Sequence, residues 1–103
     1  MSAEERVQPS PRPAPSSDLV LARYFEGDHL FVMPRAGRKR RIVLEYLATW
    51  FEPGVRYSEV EANRVLRPAH DDVAMLRRYL VDEGLLSREH GEYWRSSGPV
   101  EVG

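Results

Sequence analysis

The sequence predicts an α+β fold of winged helix-turn-helix type, with three core helices, a short leading helix and a C-terminal β-hairpin wing. Three observations predict it. Val73, Leu76 and Leu80 recur at helical spacing ahead of Gly84, and Ala69 extends that row backward by one turn. Two short runs follow, Leu85 to Arg88 and Glu92 to Arg95, around His90-Gly91, which suits a tight hairpin turn. Only a few residues separate this helix from one ending at Pro68, and so short a link forces two helices to cross sharply.

Length and composition bound the rest. A chain of 103 residues is one domain at most, and at this size it buries only about 60% of its unfolded surface. The net charge of −1 gives no global basic field, so contact with nucleic acid would need a local patch. Cysteine is absent, which removes disulfides, thiol catalysis and thiolate metal sites, and fits a reducing cytoplasm. With no long apolar run at the N-terminus, neither a signal peptide nor a membrane span is expected.

Residues 1–17 carry Pro9, Pro11, Pro13 and Pro15 among serines, without apolar periodicity. Alternating prolines block helix and sheet ladders, so a disordered, extended tail is expected. The same Pro-x-x-Pro spacing suits a ligand of SH3-type domains, and a solvated leader is the plainer reading. The folded domain is expected over 18–97, with a flexible end over 98–103.

Asp18 suits an N-cap for a short helix through Leu21, Ala22, Tyr24 and Phe25, with Gly27 closing it. Leu30 to Met33 reads as a small strand stopped by Pro34. Arg35, Arg38, Lys39, Arg40 and Arg41 then fall within seven positions. Directly behind them lies an apolar helix in which Val43, Tyr46, Leu47 and Trp50 share a face flanked by Leu44 and Phe51. Pro53-Gly54 turns the chain, and Tyr57 adds a short strand. Ser58 and Glu61 have the spacing of a capping box, opening a helix with Val60, Ala62, Val65 and Leu66. Asp71 and Asp72 then favour a helix start, and Gly84 its left-handed end. Tyr93 and Trp94 point to opposite faces of their strand, so one packs inward. An aromatic cluster of Tyr46, Trp50, Phe51, Tyr57 and Trp94 is expected to carry much of the core.

These residues also carry a resemblance. Phe31, Pro34, the basic run, Leu44-Glu45-Tyr46-Leu47, Phe51, Tyr57-Ser58-Glu59, Glu61 and Asn63 begin the pattern. Asp72, Leu76-Arg77-Arg78, Leu80-Val81-Asp82, Gly84-Leu85-Leu86, Arg88 and Tyr93-Trp94-Arg95 continue it. Over nearly everything after the proline tail the chain resembles the bacterial family called domain of unknown function 2087. Ala62, where valine is usual, is a small departure. The resemblance implies a winged-helix-like fold, sometimes appended to helix-turn-helix transcriptional regulators, and implies no activity.

The basic run is the most informative candidate site. Cations at a helix start oppose the dipole, so they are not there for helix stability. Arginines beside exposed helix-start N–H groups suit a phosphate. A solvated loop that keeps a near-neutral protein in solution is the bland alternative. The outward face of the Val73–Leu80 helix, with Asp71, Met75, Arg78 and Asp82, is charge-balanced and poorly suited to reading bases. Arg78 and Asp82 are spaced for an intrahelical pair, and Arg77 is expected to bury its stem and pair with a carboxylate. A nucleic-acid backbone would therefore be gripped by Arg35, Arg38, Lys39, Arg40 and Arg41, by Arg78, and by the wing arginines Arg88 and Arg95.

Other chemistry is weaker. Tyr93 and Trp94 could stack on bases, but such a pair more often anchors a hairpin. His29, His70 and His90 lack metal-ligand spacing, and no glycine-rich phosphate loop, nucleophile elbow or acid–base pair is present. No enzyme activity, cofactor, metal or small-molecule substrate is expected. The expected function is a backbone-binding module associated with transcriptional regulation, in contact with DNA. The alternative is a protein-interaction or dimerisation domain without DNA binding.

Overall fold

A computed structural model describes residues 18–96, and the tail expected over 1–17 and the flexible end expected over 98–103 lie outside the described residues. The first helix, α1 (Leu19–Tyr24), is capped by the Asp18 carboxylate, which accepts from the Val20 and Leu21 N–H groups at 2.9 and 3.4 Å. It ends at Tyr24 with Phe25 as C-cap, three residues before Gly27. Gly27, at φ 62°, instead forms the turn between β1 (Phe25–Glu26) and β2 (His29–Leu30). The strand expected to reach Met33 therefore ends at Leu30. Phe31 and Val32 are each 54% exposed, in a loop that runs to the next helix.

That helix, α2 (Gly37–Ala48), begins one residue before Arg38, so Arg38, Lys39, Arg40 and Arg41 lie in its first turns while Arg35 precedes its N-cap. Its N-cap is Ala36, which has no side-chain oxygen to offer, and the start was hard to read for that reason. Trp50 and Phe51 lie past its end. The N–H groups of Thr49, Trp50 and Phe51 bond three residues back, to Tyr46, Leu47 and Ala48, which tightens the last turn. Val43, Leu44, Tyr46 and Leu47 are buried as expected.

β3 (Tyr57–Ser58) leads into α3 (Glu59–Leu66), whose start is a complete capping box. Ser58 Oγ accepts from the Glu61 N–H at 3.1 Å, and Glu61 Oε1 accepts from the Ser58 N–H at 2.8 Å. α4 (Val73–Asp82) follows after a short turn. Asp72 is its N-cap, accepting from the Met75 N–H at 3.0 Å, so Asp71 precedes the helix instead of lying in its first turn. Ala69 is buried but belongs to that turn, where its carbonyl accepts the Leu30 N–H at 2.8 Å and ties β2 to the α3–α4 link. Gly84, at φ 75°, closes α4. The Leu85 N–H bonds to the Leu80 carbonyl and the Gly84 N–H to that of Val81, the paired bonds of a Schellman motif.

β4 (Leu86–Glu89) and β5 (Glu92–Arg95) form the hairpin, one residue later at its start than expected. His90 and Gly91 both have positive φ, 53° and 79°, as a type I′ turn requires. The second sheet is antiparallel with order β3-β5-β4, Tyr57 opposite Tyr93 and Ser87 opposite Trp94. The described residues thus form a mixed α+β unit of four helices and two small antiparallel sheets.

The core joins Leu30, Leu44, Leu47 and Phe51 to Leu66, Leu76, Leu80, Leu86 and Tyr93. Each such side chain contributes about 1.5–3 kcal/mol by leaving water. Edge-to-face ring contacts link Phe25 to Tyr46, Tyr46 to Trp50 and Phe51 to Tyr57. Trp94 does not join this cluster. Its neighbour Tyr93 is the one buried in the core, at 1% exposure, opposite Tyr57 on the inner side of the sheet. Trp94 lies half-buried on the outer side under the Arg56 guanidinium, 3.8 Å from the ring centroid.

Candidate functional site

The candidate site is built around α4, which uses each of its sides differently. Val73, Leu76 and Leu80 face the core, and Ala74, Arg78 and Asp82 form an exposed strip on the other side. Arg77 looks toward the hairpin from one flank. Tyr79 looks toward α2 from the other.

On the hairpin flank, Arg77 is the joint. Its Nε donates to Asn63 Oδ1 at 2.8 Å and its Nη1 to the Tyr93 hydroxyl at 2.7 Å, and Glu59 Oε1 lies 3.6 Å from Nη1. The side chain is 15% exposed, so the expectation of a buried stem and a carboxylate partner holds, with two neutral acceptors closer than the carboxylate. One guanidinium thereby fixes α3, α4 and β5 to each other. Beside it runs a shallow cleft of about 190 Å³, lined by Ala74, Arg78, Asp82, Arg88 and Tyr93 among others. Arg78 and Arg88 are exposed at this cleft. The expected Arg78–Asp82 pair does not form, and Arg78 has no side-chain partner among the described residues. Arg95 is half-buried at the far end of β5 from the turn.

On the other flank the basic run divides. Arg35, Arg38 and Lys39 are exposed and have no side-chain partner among the described residues. Arg40 and Arg41 are engaged, contrary to the expectation of five bare cations. Arg40 Nε donates to the Pro34 carbonyl at 2.9 Å, and its guanidinium lies 4.4 Å from the Tyr79 ring centroid. Arg41 Nε donates to Glu45 Oε2 at 2.9 Å, and its Nη1 donates to the carboxylate and the carbonyl of Glu83 at 3.0 and 2.9 Å. These bonds, to Glu45 first and then Glu83, raise the Arg41 pKa above the ordinary arginine value. The reason is spatial. The start of α2 packs where α4 ends, and Glu83 is 42 residues away in sequence.

His70 also has a local role, its Nδ1 accepting the Asp72 N–H at 2.9 Å just before α4. Among the described residues no group of three or more His, Cys, Asp or Glu is placed to hold a metal ion, and no helix is long and apolar enough to cross a membrane. The Arg56–Trp94 stack and the Arg77–Asn63–Tyr93 joint were not foreseen from the sequence. Both join residues whose nearness depends on strand register and on how α3 meets α4.

The family model for DUF2087, described as an uncharacterized protein conserved in bacteria, matches residues 29–95. The chain belongs to this family. The match runs from β2 to the end of β5, so the family domain contains both flanks of α4 and every candidate cation named above. Comparison with curated proteins and with solved structures gave no match.

Proposed function

We propose that this DUF2087 domain is a winged-helix-like module that grips nucleic-acid backbone in the service of transcriptional regulation. The observation that carries the reading is a set of exposed cations on the elements that meet around α4. Of these, Arg35, Arg38, Lys39 and Arg78 have no side-chain partner among the described residues, while Arg88 lies with its guanidinium 5.6 Å from the Tyr93 ring centroid. Arg78 and Arg88 border the α4–hairpin cleft, and Arg35, Arg38 and Lys39 stand at the start of α2. The succession α2, β3, α3, α4, β4, β5, with β5 between the other two strands, supports a winged helix-turn-helix plan in which β4–β5 is the wing. Positive side chains without internal partners suit phosphates, which give affinity without sequence information. The α4 strip of Ala74, Arg78 and Asp82 offers little for base edges, so the proposed contact is sequence-independent.

The test is a titration of two labelled duplexes of unrelated sequence against the unmodified protein, against Arg38→Ala/Lys39→Ala and against Arg78→Ala/Arg88→Ala. The reading expects equal affinity for both duplexes and a loss in each double variant. Affinity that is unchanged in both variants, or strict dependence on one duplex, would overturn it.

A second reading, a protein-interaction or dimerisation domain, is favoured by one observation. Phe31 and Val32 are consecutive and each 54% exposed, which puts two apolar side chains together in solvent. Sedimentation of the unmodified protein and of Phe31→Ser/Val32→Ser distinguishes it: a concentration-dependent assembly lost in the variant would support this alternative.

A further inference from the structure

We propose that Glu45 and Glu83 form an autoinhibitory latch on Arg41, which a nucleic-acid backbone must open to gain a further cationic contact; the proposal rests on the backbone-binding reading above. Arg41 stands three residues after Arg38, so the two share a face of α2, and Glu45 follows one turn further along it. Arg38 is exposed and has no side-chain partner among the described residues. Arg41, next to it, is turned inward by two carboxylates from different elements, at 2.9 and 3.0 Å.

Those two carboxylates offer Arg41 what a phosphate would, anionic oxygens within reach of more than one guanidinium N–H. The contact is nonetheless open to water, with the Arg41, Glu45 and Glu83 side chains 43%, 53% and 40% exposed. Ion pairs so exposed contribute little and exchange readily. A polyanion arriving at Arg38 can therefore compete for Arg41. Until it does, two negative charges stand beside the surface it approaches and lower its affinity. The Glu83 carbonyl also holds Arg41, at 2.9 Å, so the guanidinium keeps an anchor when the carboxylates let go. The latch thus belongs to the corner where α2 meets the end of α4, immediately before the hairpin.

The experiment is a double-mutant cycle on duplex affinity, using the unmodified chain, Glu45→Gln/Glu83→Gln, Arg41→Gln, and all three changes together. Neutralising the carboxylates is expected to tighten binding about three- to fivefold. It should also steepen the dependence of log affinity on log salt by about 0.9, the signature of one added phosphate contact. Both changes should vanish when Arg41 is also glutamine. A gain that survives Arg41→Gln reports only the removal of negative charge and overturns the latch, as does unchanged affinity in the double glutamine variant. Binding by that variant alone, with none by the unmodified chain, supports latch and reading together. No salt-dependent binding by either overturns both. Thermal melting of each variant, and the single Glu83→Gln change as a milder substitute, separate loss of the latch from loss of the fold.

Discussion

Arg77 Nη1 donates to the Tyr93 hydroxyl at 2.7 Å, and this bond joins α4 to the central strand of the hairpin sheet. With Asn63 on Nε, the guanidinium is held by α3 and β5 from the inner side of the α4–hairpin cleft. The cleft keeps its shape because this residue is satisfied from both sides. Arg78, its neighbour, is left to solvent.

Replacing Arg77 by methionine keeps most of its apolar stem and removes the fork. The Asn63 carbonyl and the Tyr93 hydroxyl then lose a charged donor in a part-buried place, at a cost of about 2–3 kcal/mol. Arg77→Lys should recover only part of this, since an ammonium cannot present a planar fork to two acceptors. Urea denaturation of the three proteins checks both statements. Equal midpoints for arginine and methionine would show that the joint is ornamental.

Trp50→Ala should destabilise the domain by about 3–5 kcal/mol, which for a core this small is enough to unfold it. Trp50 is 7% exposed and packs edge to face on Tyr46 at 5.8 Å between centroids. Calorimetry gives the test: a cooperative transition near the parental temperature would contradict its place in the core.

The hairpin turn allows a gain and a loss to be predicted side by side. His90 holds a φ of 53°, which a histidine adopts at some cost, whereas asparagine suits the first position of a type I′ turn. His90→Asn should add up to about 1 kcal/mol. Gly91→Ala, at φ 79°, should remove about 1–2 kcal/mol by forcing a side chain into the left-handed region. Thermal melts that move both variants in the same direction would refute the turn assignment.

Ser58→Ala should cost about 0.5–2 kcal/mol, because it removes the Oγ that accepts from the Glu61 N–H and leaves only the backbone N–H of residue 58 on the Glu61 carboxylate. Far-ultraviolet circular dichroism through a thermal melt reads this directly. A neutral substitution would mean that water replaces the cap without loss.

Much of this fold was legible in the chain because its local signals are strong. Asp18, Ser58 with Glu61, and Gly84 each mark a helix end through a hydrogen bond made within a few residues, and His90-Gly91 marks the hairpin in the same way. The start of α2 was not legible, since Ala36-Gly37 offers no capping side chain and the cations behind it imitate a loop. The period of two in a strand placed Tyr93 and Trp94 on opposite faces, but only the pairing of Tyr57 with Tyr93 decides which faces inward. The candidate site was legible as composition and not as geometry. Five cations in seven positions were plain to see, yet whether Arg41 is bare depends on Glu83, which only the packed fold brings within 3.0 Å.

The central claim is that cations flanking α4 neutralise backbone phosphates, and the salt dependence of duplex binding by the unmodified protein tests it most directly. Log affinity should fall linearly as log salt rises, with a slope of about −0.9 for each phosphate engaged. Contacts from Arg35, Arg38, Lys39, Arg78 and Arg88 together predict a slope of about −4.5. A slope indistinguishable from zero, or no binding at low salt by either the unmodified protein or Glu45→Gln/Glu83→Gln, would contradict the account.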